Sequence, residues 1–170
     1  MSCCNGATQE VYINVPYSES KDVNYCSEAV VQMLLAHLGH DVDQDTIHAN
    51  GWKLEQGLIP FINRYVPATL EKPNLTKIKQ WLEAGHPVPL LLNLTNDNGE
   101  TWKHKVLATG FTEGGRVLTV HDPDRGADFQ LPATELLRAD GAVFIHPGGT
   151  AGWRPFKFFF GFMNSFGGGN

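Results

Sequence analysis

Cys26, His104 and Asp122 are the residues of this chain whose types and placement suit nucleophilic chemistry. In such chemistry a thiolate attacks, an imidazole moves the proton, and a carboxylate holds the imidazole in the required tautomer. Cys26 falls in the first turn of a segment, Cys26 to Leu38, whose apolar residues Ala29, Val30, Met33, Leu34 and Leu38 recur at helical spacing. The N–H groups and positive dipole end at a helix start favour the reactive thiolate. Read by position alone, a cysteine there is more commonly a small buried apolar side chain. His104 opens a strand-like run after a polar loop, and Asp122 closes the next such run. A hairpin turning at 113–115 brings the two together across the pair, although Asp122-Pro123 is also a common turn opener.

The elements that must hold these residues follow from periodicity and punctuation. Residues 11–17 alternate like a strand that Pro16 stops. The helix at Cys26 buries one face, with Asn24 placed to cap it and Gly39 to end it. Residues 44–66 read as one or two short helices, interrupted near Gly57 and Pro60. Asn74 is placed to cap a further helix through Ala84, with Leu75, Ile78, Trp81 and Leu82 inward and Gly85 and Pro87 ending it. Val88 to Leu94 is a buried strand, Thr95 to Thr101 a polar loop, and His104 to Phe111 a strand. Glu113-Gly114-Gly115 is a tight turn leading into a partner strand, Arg116 to His121, and 122–126 is another turn. Phe129 to Leu131 and Ala142 to Ile145 add strands, with a short helix near 132–137. Helices in the first half and antiparallel strands in the second predict an α+β fold. The expected core joins Met33, Leu34 and Leu38 to Val88, Leu90, Leu92, Val106, Leu118 and Val120.

The 170 residues make one domain's worth of chain, 42% hydrophobic and 18% charged, which suits a folded protein. We divide it into a domain over residues 1–146 and a tail over 147–170 rich in phenylalanine and glycine, whose aromatic residues should pack back onto the domain. A net charge of −5 without a Lys/Arg run argues against nucleic acid as a partner. The apolar runs are too short to span a membrane, and Met1 to Gly6 lacks the pattern of a signal peptide, so cytoplasmic synthesis is expected. Three cysteines (Cys3, Cys4 and Cys26) do not make a disulfide framework. No cofactor is called for, and oligomeric state is not encoded in any pattern of the sequence.

The order and spacing of these features resemble the C39-like branch of the papain-fold peptidases, from about Val15 to Ile145. The segments that carry it are Val15-Pro16-Tyr17; Asn24-Tyr25-Cys26-Ser27-Glu28-Ala29 running into Met33-Leu34 and Leu38-Gly39; Ile78 to Leu82 with Gly85 to Val88; His104 to Phe111; and Val117 to Asp122-Pro123. The resemblance implies a papain-like fold, N-terminal helices on a C-terminal antiparallel sheet, and a cysteine peptidase with Cys26 as nucleophile, His104 as base and Asp122 as orienter. Peptide or peptidoglycan cross-bridge amides are the substrate class it implies. Three positions depart from the family pattern: Ser27-Glu28 stands for Gly-Pro after the nucleophile, Lys105 for an apolar residue after the histidine, and Ser20 or Glu19 for the oxyanion-hole glutamine. Ser20 carries a donating hydroxyl, which ionised Glu19 does not, so Ser20 is the expected oxyanion donor and Asn24 its reserve. Rival readings are a catalytically inactive binding module, a metal site using Cys26, His104 and His121 or Asp122, and a transferase or amidase on the same fold.

Overall fold

The computed structural model describes residues 9–51 and 58–148. Cys3, Cys4, Gly57 and the aromatic and glycine-rich residues beyond 148 lie outside them. The elements run β1 (Val11–Tyr12), α1 (Cys26–His37), α2 (Gln44–Asn50), α3 (Ile59–Ile62), β2 (Ala68–Glu71), α4 (Leu75–Glu83), β3 (Val88–Thr95), β4 (Thr101–Thr112), β5 (Val117–Asp122), β6 (Gly126–Pro132) and β7 (Gly141–Ile145). Short 3-10 turns occupy Glu113–Gly115 and Ala133–Arg138. The strands form one antiparallel sheet in the order β2-β7-β3-β4-β5-β6, with β1 added alongside β4. This is the expected α+β arrangement.

Capping explains where the helices begin. Asp43 accepts the Thr46 N–H at the start of α2, and Asn74 accepts the Lys77 N–H at the start of α4. Asn24 does not cap α1. Tyr25 occupies the cap position without a side-chain bond, and Asn24 takes a left-handed backbone conformation, φ 79°. The chain turns sharply there, and the turn delivers Cys26 as the first helical residue.

Two further expectations are corrected. The strand expected over 11–17 shrinks to Val11–Tyr12; the chain then leaves the ladder after a last bond from the Ile13 N–H to the Thr109 carbonyl. The helix α1 does not bury a single face. From Ser27 to Leu35 only Gln32 is not fully buried. Val30 and Met33 join a cluster with Ile78, Trp81, Leu90, Leu92, Val106, Leu118, Val120 and Phe144. Val31, Leu34 and Leu35 join a second cluster with Ile47, Phe61, Ile62, Leu91, Val143 and Ile145. β3 and β7 also feed both clusters from alternate residues, which is why Val88 to Leu92 reads as an unbroken apolar run. Of the expected core, all are buried except Leu38, which is partly covered in the second cluster. The sheet is larger than expected: β2 fell within a stretch that carries no clean alternation, and β4 begins at Thr101, inside the segment read as a loop.

β4 serves three neighbours. β3 pairs with it from Thr101 to Ala108, β1 at Gly110 and Phe111, and β5 from Leu107 to Thr112. A bulge falls between Ala108 and Gly110. Gly110 is required there, because a Cβ would land on the Val11 carbonyl oxygen.

Candidate active site

The β4–β5 register builds half of the site. Leu107 opposes His121, so the next step along the ladder sets Asp122 against Val106, on the face that also carries His104. The two side chains meet on the diagonal: His104 Nε2 lies 2.8 Å from Asp122 Oδ1, and both residues are about 95% or more buried. The turn after β5 fixes the acid. Asp122 Oδ1 also accepts the Asp124 N–H at 3.0 Å, and Arg125 Nε stands 3.7 Å from Oδ2. Tyr17 donates its hydroxyl to the Asp122 carbonyl at 3.1 Å, tying the segment before α1 to the same turn.

The first turn of α1 supplies the other half. Its packing against β4 brings Cys26, half-buried, beside His104. Cys26, His104 and Asp122, named from the sequence, therefore come together. Nε2 is given to Asp122, and Asp124 Oδ2 stands 3.6 Å from the other ring nitrogen, Nδ1.

The electrostatics favour a charge-separated pair. Burial pushes the Cys26 thiol up, but the hydrogen bond from His104, the Lys105 ammonium and the Lys105 backbone N–H outweigh it and hold the thiol below its ordinary value. Burial pushes His104 down, yet the hydrogen bonds and charges of Asp122 and Cys26 raise it to about 9. Burial likewise pushes Asp122 up, and the His104 hydrogen bond, the Asp124 N–H and the charges of His104 and Arg125 bring it below the usual carboxylate value. All three shifts run toward a thiolate beside an imidazolium beside a carboxylate. Such a trio can attack an electrophilic carbonyl and then protonate the leaving group. Lys105 departs from the family pattern in a direction that favours the thiolate.

Ser20 is placed differently. Its N–H donates to the Pro123 carbonyl at 3.0 Å, so it neighbours the acid turn, but its Oγ is sealed from solvent and has no hydrogen-bond partner among the described residues. Gln9, the nearest glutamine before Cys26 in the sequence, gives its Nε2 to Glu83 Oε1 at 2.9 Å. His121 is not part of the site. Its Nε2 donates to the Val15 carbonyl at 2.9 Å, and its Nδ1 accepts the Asp128 N–H at 3.3 Å. The metal set of Cys26, His104 and His121 is thereby corrected; among the described residues the grouping with ligand-like spacing is His104, Asp122 and Asp124. Two of its members are already bonded to each other. Asp124 and Gln44, which contact the site or its borders, carried no spacing signal that could have singled them out, and Tyr17 stood out only as part of the Val15-Pro16-Tyr17 segment of the resemblance.

Solved structures share this architecture. A C39-like peptidase from Bacillus anthracis, described as putative in its own name, is 15% identical, with a TM-score of 0.64 over 81% of this chain and 98% of that one. A double glycine motif protease from an AMS/PCAT transporter, in complex with the leader peptide, is 19% identical, with a TM-score of 0.57 over 82% and 95%. The peptidase domain of Streptococcus ComA, a bifunctional ABC transporter of a quorum-sensing pathway, is 14% identical, with a TM-score of 0.57 over 76% and 96%. At these identities the likeness establishes a papain-like peptidase fold. No curated protein matches the sequence. Residues 12–133 match the model of the Peptidase_C39 like family, a span that takes in Cys26, His104 and Asp122, and the chain belongs to that family.

Proposed function

We propose that this protein is a cysteine peptidase that hydrolyses peptide amide bonds. Cys26 attacks the carbonyl, His104 carries the proton from thiol to leaving amine, and Asp122 holds the ring. The observation that carries this reading is the 2.8 Å contact of His104 Nε2 with Asp122 Oδ1, on a ring that also lies beside the Cys26 thiol. A structural histidine has no need of a buried carboxylate on one side and a thiol at a helix start on the other. The leader peptide held by the transporter protease supports peptide as the substrate class; peptidoglycan cross-bridges offer the same amide chemistry.

The developing oxyanion needs two donors. The backbone N–H of Cys26, at the first helical position, has no intrahelical partner and serves as one. The Ser20 hydroxyl serves as the second. Its unpartnered Oγ is presented by rotation between staggered χ1 wells when a substrate enters. The sealed position of Oγ in the free protein is also what favours the second reading, a binding module that holds peptides without cleaving them.

The test is labelling with iodoacetamide across pH, combined with hydrolysis of a panel of peptides and cell-wall cross-bridges. Cys26 should alkylate rapidly well below the pH range of an ordinary thiol, and Cys26→Ala should abolish hydrolysis while the fold survives. An unreactive Cys26 refutes the peptidase. A reactive Cys26 with no turnover on any panel member selects the binding module.

A further inference from the structure

Gln44, at the start of α2, is one of the buried polar residues. Its whole amide is spent on its surroundings. Nε2 donates to the Glu19 carbonyl at 2.8 Å and to Gln32 Oε1 at 2.9 Å, and Oε1 accepts the Lys21 N–H at 3.0 Å. A primary amide has the donor and acceptor of a peptide group, so this one side chain pairs with the backbone on both sides of Ser20 as a neighbouring strand would. From the other direction the Ser20 N–H is held by the Pro123 carbonyl at 3.0 Å. Segment 19–21 is thus clasped between α2 and the turn that carries Asp122. At the centre of the clasp sits a hydroxyl with no partner among the described residues.

An unsatisfied buried hydroxyl costs about 1–3 kcal/mol. Both peptide groups beside it are meanwhile pinned by a buried side chain from α2, and one of them by the Pro123 carbonyl as well. That combination fixes the backbone that carries the donor while leaving the hydroxyl uncommitted, so that only χ1 of Ser20 has to turn when a substrate enters. A donor whose backbone is already placed needs little reorganisation to meet an oxyanion.

We propose that Gln44 is the positioning residue of the oxyanion site: its amide holds segment 19–21 so that Ser20 meets the tetrahedral intermediate. This rests on Ser20 as the donor. Gln44 touches no reacting atom and acts only through the segment it grips.

The experiment separates oxyanion stabilisation from nucleophile reactivity. A short peptide ending in a Gly-Gly aldehyde adds the Cys26 thiolate to its carbonyl carbon, and the carbonyl oxygen takes the charge, so its affinity reads the oxyanion site. Alkylation by iodoacetamide displaces iodide and develops no such oxyanion, so its rate reads the thiolate alone. The measured quantity is the aldehyde concentration that halves the alkylation rate of Cys26. Gln44→Met should raise it tenfold or more while the alkylation rate and its pH profile stay at wild-type values. Gln44→Glu keeps the shape and the acceptor for Lys21 but cannot donate to the Glu19 carbonyl; it should behave alike and serves if the methionine variant fails to fold. Ser20→Ala should give a similar loss, and Ser20→Ala with Gln44→Met should be little worse than either alone. If Ser20→Ala weakens the aldehyde but both Gln44 variants match wild type, the positioning role is refuted and Ser20 stands. If Ser20→Ala is silent, the donor assignment falls and the positioning role with it. Equal losses in aldehyde affinity and in alkylation rate would reduce Gln44 to a general structural support and overturn the proposal.

Discussion

His104 is raised to about 9 because a buried carboxylate and a thiolate flank it, against the downward push of burial. Its charged form is therefore favoured by the fold: that stabilisation is complete below the ordinary histidine value of 6.5 and is lost as pH rises through about 9. Asp122 runs the other way, stabilising the fold above the ordinary carboxylate value of 3.8 and losing that contribution as pH falls through its lowered one. The expected profile of hydrolysis is a plateau that ends on the alkaline side near 9, where the imidazolium that must protonate the leaving amine disappears. Asp122→Asn removes the anion that holds the proton. His104 should then move back toward 6.5, the alkaline limb should shift down by a unit or more, and kcat should fall by orders of magnitude, about 10⁴ in the serine analogue. A full pH–rate profile of the variant checks this; an alkaline limb left in place would show that Asp122 does not control the ring.

Element geometry decides whether these groups meet, and it was only partly visible in the sequence. Asn74 capped its helix as read, because a helical run preceded by an Asx residue in an open loop leaves few alternatives. Asn24 did not, because the tight turn into α1 takes it to positive φ, where its side chain cannot reach the first helical N–H groups. The His104–Asp122 pairing was legible since a hairpin with a short turn fixes its own register. The bulge at Thr109, in the pairing of β4 with β5, was not, nor was the dependence on Gly110, which arises from β1 approaching from almost a hundred residues upstream. Gly110→Ala should displace Val11 or the bulge and cost about 1–3 kcal/mol, as overpacked sites do. A urea titration measures it. An unchanged midpoint would mean that β1 yields freely and contributes little to holding β4.

Across the whole molecule, α1 is the element that joins the two core clusters to the reactive end of the chain. Periodicity found the helix but suggested one buried face, because Ala29, Val30, Met33 and Leu34 alone make a plausible stripe. The buried Ser27 and Glu28 disguised the rest: Glu28 is fully covered, with Oε1 2.9 Å from His48 Nδ1. Met33 is fully buried in the larger cluster, and Met33→Ala should cost about 2–5 kcal/mol in thermal or denaturant unfolding. A much smaller loss would imply that the helix can slide to refill the space. The same burial sets the order in which the site is assembled as the chain folds. The His104–Asp122 hairpin closes over a separation of only 18 residues, whereas Cys26 reaches it from the opposite half of the sequence. That short separation predicts that the base and its orienter pair before α1 brings the thiol to them. A partly folded molecule should then carry a cysteine with no histidine beside it, alkylating as an ordinary thiol does, and pulsed iodoacetamide labelling during refolding checks this.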